Sequence, residues 1–413
     1  MIGEIIAIGD ELISGRILNT TSYFAASQLF AAGHEIVAMM TIGDNPALIG
    51  QTLINSLERA DFVVVTGGLG ATTDDLTNAA VSDALQRPTT FYPEILENIR
   101  ANSKRTPKQV QLSLEKLAWL PAGAHALKSD AQMAGHFLVH DGKPVFFLPG
   151  VPHEMKELLV ETVISRLAVW EGEDVREVRQ KLYRVVNLAE TEINRQLDPL
   201  AKNDQRVRIG YYPVFPEVHV SLTVTGHNGS EVEELFKEQN RQILVLLGDD
   251  CYGTDTETLE EVVGKLLTRR HLTLALAESC TGGLVAHRLT KVSGSSGYFV
   301  GGVVAYSNNL KERLLKVDRD ILVKFGAVSA ETARAMAAGI CAVTGADYGL
   351  AVTGVAGPTG GTDEKPVGTV YFGLAGPGKT SDFMVNFFGD RWQVQEATAH
   401  YALDLIRREL NSF

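Results

Sequence analysis

Cysteine is scarce in this sequence. The chain of 413 residues holds three, Cys251, Cys280 and Cys341, far apart and without a CxxC pair. That excludes a disulfide framework and a cysteine zinc site, and it suits a reducing cytoplasm. Basic charge is also short: 38 Lys and Arg stand against 50 Asp and Glu, a formal net charge of -12. A nucleic-acid clamp needs a concentrated basic face, so no nucleic-acid partner is expected. No apolar run is long enough to span a bilayer, and the opening MIGEIIAIGDEL has no basic leader region. Neither a membrane span nor a secretory signal is therefore expected. Anionic small substrates stay open, because glycine loops and helix N-termini bind phosphate whatever the net charge.

What is present is ordinary for a globular protein, 45% hydrophobic and 21% charged, but the length exceeds one core, so several domains are expected. Residues 1–170 alternate strand and helix signals. GEIIAIG, HEIVAMMTIGD, DFVVVTGGLG and KPVFFLPGVP are apolar runs that end in glycine, aspartate or proline. Asn45-Pro46 reads as a cap with proline at the first helical position, followed by Ile49, Leu53 and Leu57 at helical spacing. DFVVVT has no polar face, as in a parallel sheet buried on both sides. This is an α/β domain with helices on both faces. Residues 171–252 change pattern to a small α+β module in βαββα order. That order is KH-like, but no GxxG loop joins its helices, so RNA is not an expected ligand. After DDCYGTDTET, residues 253–413 return to alternating strand and helix.

The C-terminal part carries the sharpest chemical signal. LTLALAESCTGGLVAHRL places Glu278, Ser279, Cys280 and Thr281 at a strand-to-helix corner, with the helix expected near Gly282. Unpaired amides there can stabilise an oxyanion, and Gly282 and Gly283 allow close approach of a substrate. Ser279 and Cys280 are rival nucleophiles; Glu278 reads as a base or a helix-start carboxylate, and Thr281 as an N-cap. No histidine is placed as a base, whereas VVAYSNNLKERLL offers Tyr306 at a strand end and Lys311 one turn into a helix. A lysine serves as base when burial lowers its pKa. LAVTGVAGPTGG adds Thr353, Gly354 and Gly357 in a loop that can cradle phosphate, and FGDRW places Arg391 at a helix start.

The first domain gathers carboxylates. IGDEL, TIGDNP and TGGLGATTDDLT each follow an apparent strand. Ligands bind at the carboxyl ends of strands in an open α/β sheet. Asp10, Glu11, Asp44, Asp74 and Asp75 should therefore share one edge, with Gly67, Gly68 and Gly70 as an anion loop. Asp74 and Asp75 are expected in the first turn of a helix after Thr72-Thr73. Carboxylates beside a phosphate loop suggest a divalent metal, with Asp75, Asp74, Asp44 and Asp10 as candidate ligands.

AESCTGG, YSNNLK, TGVAGPTGG, KPVGTV and FGDR together resemble the C-terminal domain of the CinA family of competence/damage-inducible proteins. GDELISGRILNT, GGLGATTDD and LPGVPHEM resemble its N-terminal half, which is itself similar to molybdopterin-binding domains. The resemblance implies a nicotinamide-nucleotide amidase. Ser279 would be its nucleophile, with Lys311 and Tyr306 assisting and no cofactor. Substrate contacts would come from Cys280, Thr281, Gly282, Gly283, Thr353, Gly354, Gly357 and Arg391. It also implies metal-dependent hydrolysis of ADP-ribose to AMP and ribose 5-phosphate in the N-terminal domain, and a homodimer. Ala71 stands where the family loop usually has proline, which loosens that loop. Competing readings are a molybdopterin adenylyl- or molybdenum-transferase and a non-enzymatic competence factor.

Overall fold

The computed structural model describes residues 1–102, 114–128, 135–172 and 176–412. Residues 173–175, within the charged stretch expected to close the first domain, lie outside them. The chain divides into two compact units, one of residues 1–180 with 224–236 and the other of 181–223 with 237–413.

The first unit is built on a six-stranded sheet. Its strands are β1 (Ile2–Ile8), β2 (Glu35–Ile42), β3 (Phe62–Thr66), β6 (His125–Ala126), β7 (His136–His140) and β8 (Lys143–Leu148), in the order β2-β1-β3-β8-β7-β6. A small separate pair joins β4 (Thr89–Phe91) to β5 (Trp119–Pro121). β2, β1, β3 and β8 run parallel, β7 pairs antiparallel with β8, and β6 pairs antiparallel with β7. Alternate residues of the parallel strands enter different cores. Ile6, Ile8, Val63, Val65, Val145 and Phe147 pack on one face. Ile5, Phe62, Val64, Phe146 and Leu148 pack on the other. That two-sided burial is why DFVVVT has no polar position.

The helices of this unit are α1 (Asp10–Ile13), α2 (Thr20–Ala31), α3 (Pro46–Arg59), α4 (Thr77–Ala84), α5 (Pro93–Asn102), α6 (Pro152–Leu158) and α7 (Ile164–Glu171). The cap at Asn45 forms as its spacing predicts, its side chain accepting from Leu48 N at 3.1 Å. α4 starts at Thr77, so Asp74 and Asp75 sit in the turn before it rather than in its first turn.

The middle module comprises β9 (Glu177–Val185), α8 (Glu190–Asn203), β10 (Val207–Val214), β11 (Glu217–Gly226), α9 (Gly229–Leu247) and β12 (Cys251–Thr254). Its sheet has the order β10-β11-β9-β12, so the sequence reading missed one short strand, β12. Its four residues lie in the Asp-, Gly- and Thr-rich stretch that reads as a linker.

The C-terminal domain has a five-stranded sheet. Its strands are β13 (Leu274–Glu278), β14 (Phe299–Val304), β15 (Tyr348–Gly354), β16 (Thr369–Gly376) and β17 (Lys379–Asn386), in the order β14-β13-β15-β16-β17. β14, β13 and β15 are parallel, so their carboxyl ends meet at one edge. Around them lie α10 (Leu259–Arg270), α11 (Leu284–Thr290), α12 (Asn308–Leu315), α13 (Arg319–Phe325), α14 (Ala330–Thr344) and α15 (Arg391–Asn411). One sheet face is bulky, with Leu274, Leu276, Leu350, Val352 and Phe372 packing with α10, α11 and α15. The other offers Ala275, Ala277, Ala351 and Ala375 to α14. Small residues there let a helix backbone approach: a Cβ on Gly373 would stand 2.0 Å from the Ala333 carbonyl.

α15 is locked late in its length. The buried Asp404 receives Arg407 Nε at 2.8 Å, Arg408 Nε at 2.7 Å and Asn187 Nδ2 at 2.8 Å. The two arginine bonds are internal to α15, and the Asn187 bond ties the helix to the loop after β9.

Candidate active site

β13 continues two residues further than LTLAL alone suggests and delivers Glu278 and Ser279 at the sheet edge. Ser279 N donates to Val352 O at 3.0 Å, which ties the corner to β15. Glu278 is 2% exposed, and its carboxylate accepts from Gly283 N at 3.0 Å, Val285 N at 3.2 Å and Ala286 N at 2.8 Å. Of the two readings for Glu278, the helix-start carboxylate is the one observed: it satisfies the orphan amides of α11. Thr281 is therefore not the N-cap. Gly283 occupies that position, the helix starts at Leu284 rather than near Gly282, and the Thr281 hydroxyl is buried without a protein partner among the described residues.

Lys311 is the basic side chain that the structure places beside Ser279. Ser307 caps α12, accepting from Leu310 N at 3.3 Å, and the first turn aims Lys311 inward. Its side chain is 1% exposed, with Nζ 3.1 Å from Ser279 Oγ and 2.6 Å from the Ala305 carbonyl, to which it donates. Burial holds its pKa below the ordinary lysine value. Cys280 is no rival. Its side chain is buried, and burial pushes the thiol up to about 12, so the reactive thiolate is disfavoured.

Tyr306 is 61% exposed, and its hydroxyl accepts from Arg391 Nη2 at 3.0 Å. A proton relay from Ser279 through Tyr306 is not needed, because Lys311 reaches Ser279 directly. Arg391 also donates to Gly357 O at 2.8 Å, so it joins the strand-end tyrosine to the glycine loop. Gly357 has φ 79°, and a Cβ there would stand 2.5 Å from Val367, so the loop requires glycine. Gly354 ends β15 opposite Val370. Thr353 differs from expectation. It is 1% exposed and donates to Ala327 O at 2.6 Å, which makes it a brace under the loop rather than a substrate contact. The amides of Gly282 and Gly283 are likewise engaged, by Ser279 O at 3.1 Å and by Glu278. Of the four corner amides expected to face substrate, those of Cys280 and Thr281 have no oxygen acceptor in the protein among the described residues and lie beside the Cys280 sulfur. Sequence reasoning missed Gln395 on α15, whose Nε2 donates to Cys280 O at 2.8 Å.

The first unit has its own cleft, about 360 Å³ in volume, at the carboxyl ends of β1, β3 and β8. Gly67, Gly68 and Gly70 line it, with Glu11, Asp44, Asp74, Asp75 and Glu154. Asp10 is not among its lining residues. Asp10 N donates to Asp44 Oδ2 at 2.9 Å, and Asp44 N to Asp10 Oδ1 at 3.1 Å, a reciprocal brace between two loops. Asp75 accepts from Thr72 N at 2.8 Å and from the Thr72 hydroxyl, closing the acidic turn. Burial, with Asp10, Glu11 and Asp74 nearby, raises the Asp44 pKa. Burial also raises that of Glu154, which the sequence reading left out although it lies in the quoted LPGVPHEM. Among the described residues no three His, Cys, Asp or Glu side chains are placed to hold a metal by themselves. The four expected ligands therefore form no closed cage: Asp10 lies outside the cleft lining, Asp75 is bonded to Thr72, and Asp44 gives one oxygen to Asp10 N.

Three family models cover almost the whole chain. "CinA C-terminal domain" matches residues 256–410, "Probable molybdopterin binding domain" matches 4–169, and "Damage-inducible protein CinA KH domain" matches 180–253. A "CinA-like protein" of Desulfotalea psychrophila is 52% identical over 407 residues, 98% of each chain. A "Putative competence-damage inducible protein" of Moorella thermoacetica is 37% identical over 413 residues, 100% of this chain and 99% of that one. Among solved structures, a competence/damage inducible protein from Agrobacterium tumefaciens is 38% identical, with TM-score 0.36, covering 37% of this chain and 93% of its own.

Proposed function

This chain belongs to the CinA family, and we propose on that premise that its C-terminal domain hydrolyses the carboxamide of nicotinamide mononucleotide to nicotinic acid mononucleotide and ammonia. The observation that supports this is the buried Lys311 amine 3.1 Å from Ser279 Oγ. A neutral lysine keeps one N–H on the Ala305 carbonyl and turns its lone pair to the serine hydroxyl. It takes that proton as Oγ bonds to the amide carbon. The resulting ammonium returns the proton to the leaving nitrogen, the C–N bond breaks and ammonia departs. Water then attacks the acyl ester, Lys311 taking one of its protons and passing it to Ser279 Oγ as the C–O bond breaks, and the acid product loses its remaining proton to solvent and leaves as the carboxylate. Arg391 and the Gly354–Gly357 loop are the contacts proposed for the nucleotide phosphate.

The test is ammonia release from nicotinamide mononucleotide by the purified full chain, with and without a chelator. Release that survives the chelator is expected. Because Lys311 must be neutral and its pKa is lowered, kcat should rise as pH rises through that lowered pKa, with the acid limb centred below 10.5. Absence of ammonia from folded protein at every pH sinks the reading.

We propose for the first unit the hydrolysis of ADP-ribose to AMP and ribose 5-phosphate, supported by the glycine loop and carboxylates that share one cleft. Asp44 and Asp74, which both line that cleft, would hold a divalent cation there. Such a cation, when bound, neutralises pyrophosphate charge. The two substrates are both breakdown products of NAD, so the fused activities make one nucleotide-recycling enzyme. Asp44→Asn is expected to lower AMP formation from ADP-ribose by about 100-fold or more and to weaken Mn²⁺ binding in equilibrium dialysis, while ammonia release stays unchanged. Unaltered AMP formation removes Asp44 from the site.

A further inference from the structure

We propose that Gln395 is a positioning residue that aims the oxyanion donors of the Ser279 site; this rests on the reading of Ser279 as nucleophile. Residues 279–282 form a turn closed by Gly282 N on Ser279 O at 3.1 Å. Gly282 and Gly283 have positive φ, 64° and 101°, but Cys280 and Thr281 do not. A closed turn whose two central residues both avoid positive φ is type I. The central peptide of that turn joins Cys280 to Thr281. Rotating it by about 180° gives the type II turn and points its N–H the other way.

Gln395 holds that peptide, its Nε2 2.8 Å from Cys280 O. In a trans peptide the carbonyl and the following N–H are antiparallel. A bond on Cys280 O therefore fixes the direction of Thr281 N–H. The other amides here are already engaged. Ser279 N reaches Val352 O, Gly282 N reaches Ser279 O, and Leu284 N reaches Thr281 O. Gly283, Val285 and Ala286 reach Glu278. Among the described residues, the amides of Cys280 and Thr281 are the two in this stretch with no oxygen acceptor in the protein; both lie beside the Cys280 sulfur, a weak acceptor that an oxyanion would outcompete. They directly follow the nucleophile, where the oxyanion of an acyl-transfer intermediate forms.

α15 carries this control beside another. Arg391 lies four residues before Gln395, hence on the same helix face, and it bonds Tyr306 and Gly357. One helix face thus sets the nucleophile turn, the strand-end tyrosine and the glycine loop.

Gln395→Met keeps the length and removes the donor. Its kcat for ammonia release should fall by about 10- to 100-fold. KM should change by less than about twofold, since an interaction made only in the transition state acts on kcat. The acid limb of the pH profile and the thermal midpoint should not move. Gln395→Lys, which restores a donor to the same carbonyl, should recover most of the rate. A second measurement does not depend on the substrate. Acylation-type labelling of Ser279 by a fluorophosphonate, read by intact mass, uses the same oxyanion position and should slow by the same factor in Gln395→Met. Equal labelling and equal kcat in wild type and variant overturn the proposal, as does a loss confined to KM. Labelling of wild type without ammonia release means the amide substrate is wrong, while the labelling ratio still decides the role of Gln395. If wild type resists labelling at Ser279, the nucleophile reading and this proposal fall together.

Discussion

Ser279→Ala should abolish ammonia release from nicotinamide mononucleotide, a fall of at least about 10³-fold in kcat, with thermal stability nearly unchanged. Lys311→Met should match it, and the double variant should be no worse than either, because the two groups act as one unit. Lys311→Arg should fail to rescue, since a guanidinium keeps its proton at every accessible pH. Tyr306→Phe should lose only about 10-fold, its hydroxyl being bonded to Arg391 rather than needed between base and nucleophile. Lys311 also makes a stability statement with a definite sign. Its folded pKa is lowered, so between that value and 10.5 the unfolded chain binds more protons, and wild-type stability rises with pH across that window. Lys311→Met lacks this slope. Thermal midpoints measured from pH 7 to pH 10 should therefore show wild type gaining on the variant. Parallel midpoints, or substantial ammonia release by Lys311→Met, would remove the lysine from the base role.

Much of this was legible because local chemistry and chain order agree. A strand signal ending in ESCTGG places Ser279 at the sheet edge whatever surrounds it, and SNNLK starts a helix one turn before Lys311. The spacing could not show that Lys311 is buried and Tyr306 exposed. That depends on how α12 packs against the strand ends, where Lys311 Nζ meets Ser279 Oγ and Ala305 O, a tertiary fact. Thr353 misled for the same reason. In sequence it heads a glycine loop, but it is buried, its hydroxyl bonded to Ala327 O under that loop. Gln395 gave no signal, because its target is a backbone carbonyl 115 residues earlier. In the first unit the strand ends located the cleft, while Asp10, bonded to Asp44 and absent from the cleft lining, serves the loops instead.

Glu278 separates a structural carboxylate from a catalytic one, and its replacement should carry the largest stability effect in the C-terminal domain. The side chain is 2% exposed and accepts three amides of the corner and of α11. Glu278→Ala leaves those donors without their acceptor. Each buried unsatisfied amide costs about 1–3 kcal/mol, and the total should reach about 3–5 kcal/mol once partial rehydration is allowed for. Against a typical stability of about 5–15 kcal/mol, that is enough to make the Ser279 corner open locally at ambient temperature. Glu278→Gln should cost less, about 1–2 kcal/mol. Its carbonyl can keep Gly283 and Val285, which share Oε2, while its amide nitrogen meets the Ala286 donor. Urea unfolding read at the C-terminal domain gives both values. Kinetics then discriminate. As a brace, Glu278→Gln should retain measurable kcat at low temperature with the acid limb where wild type has it, because Lys311 still sets that limb. A Gln variant as stable as wild type but inert at every pH would make Glu278 the base and leave Lys311 its neighbour.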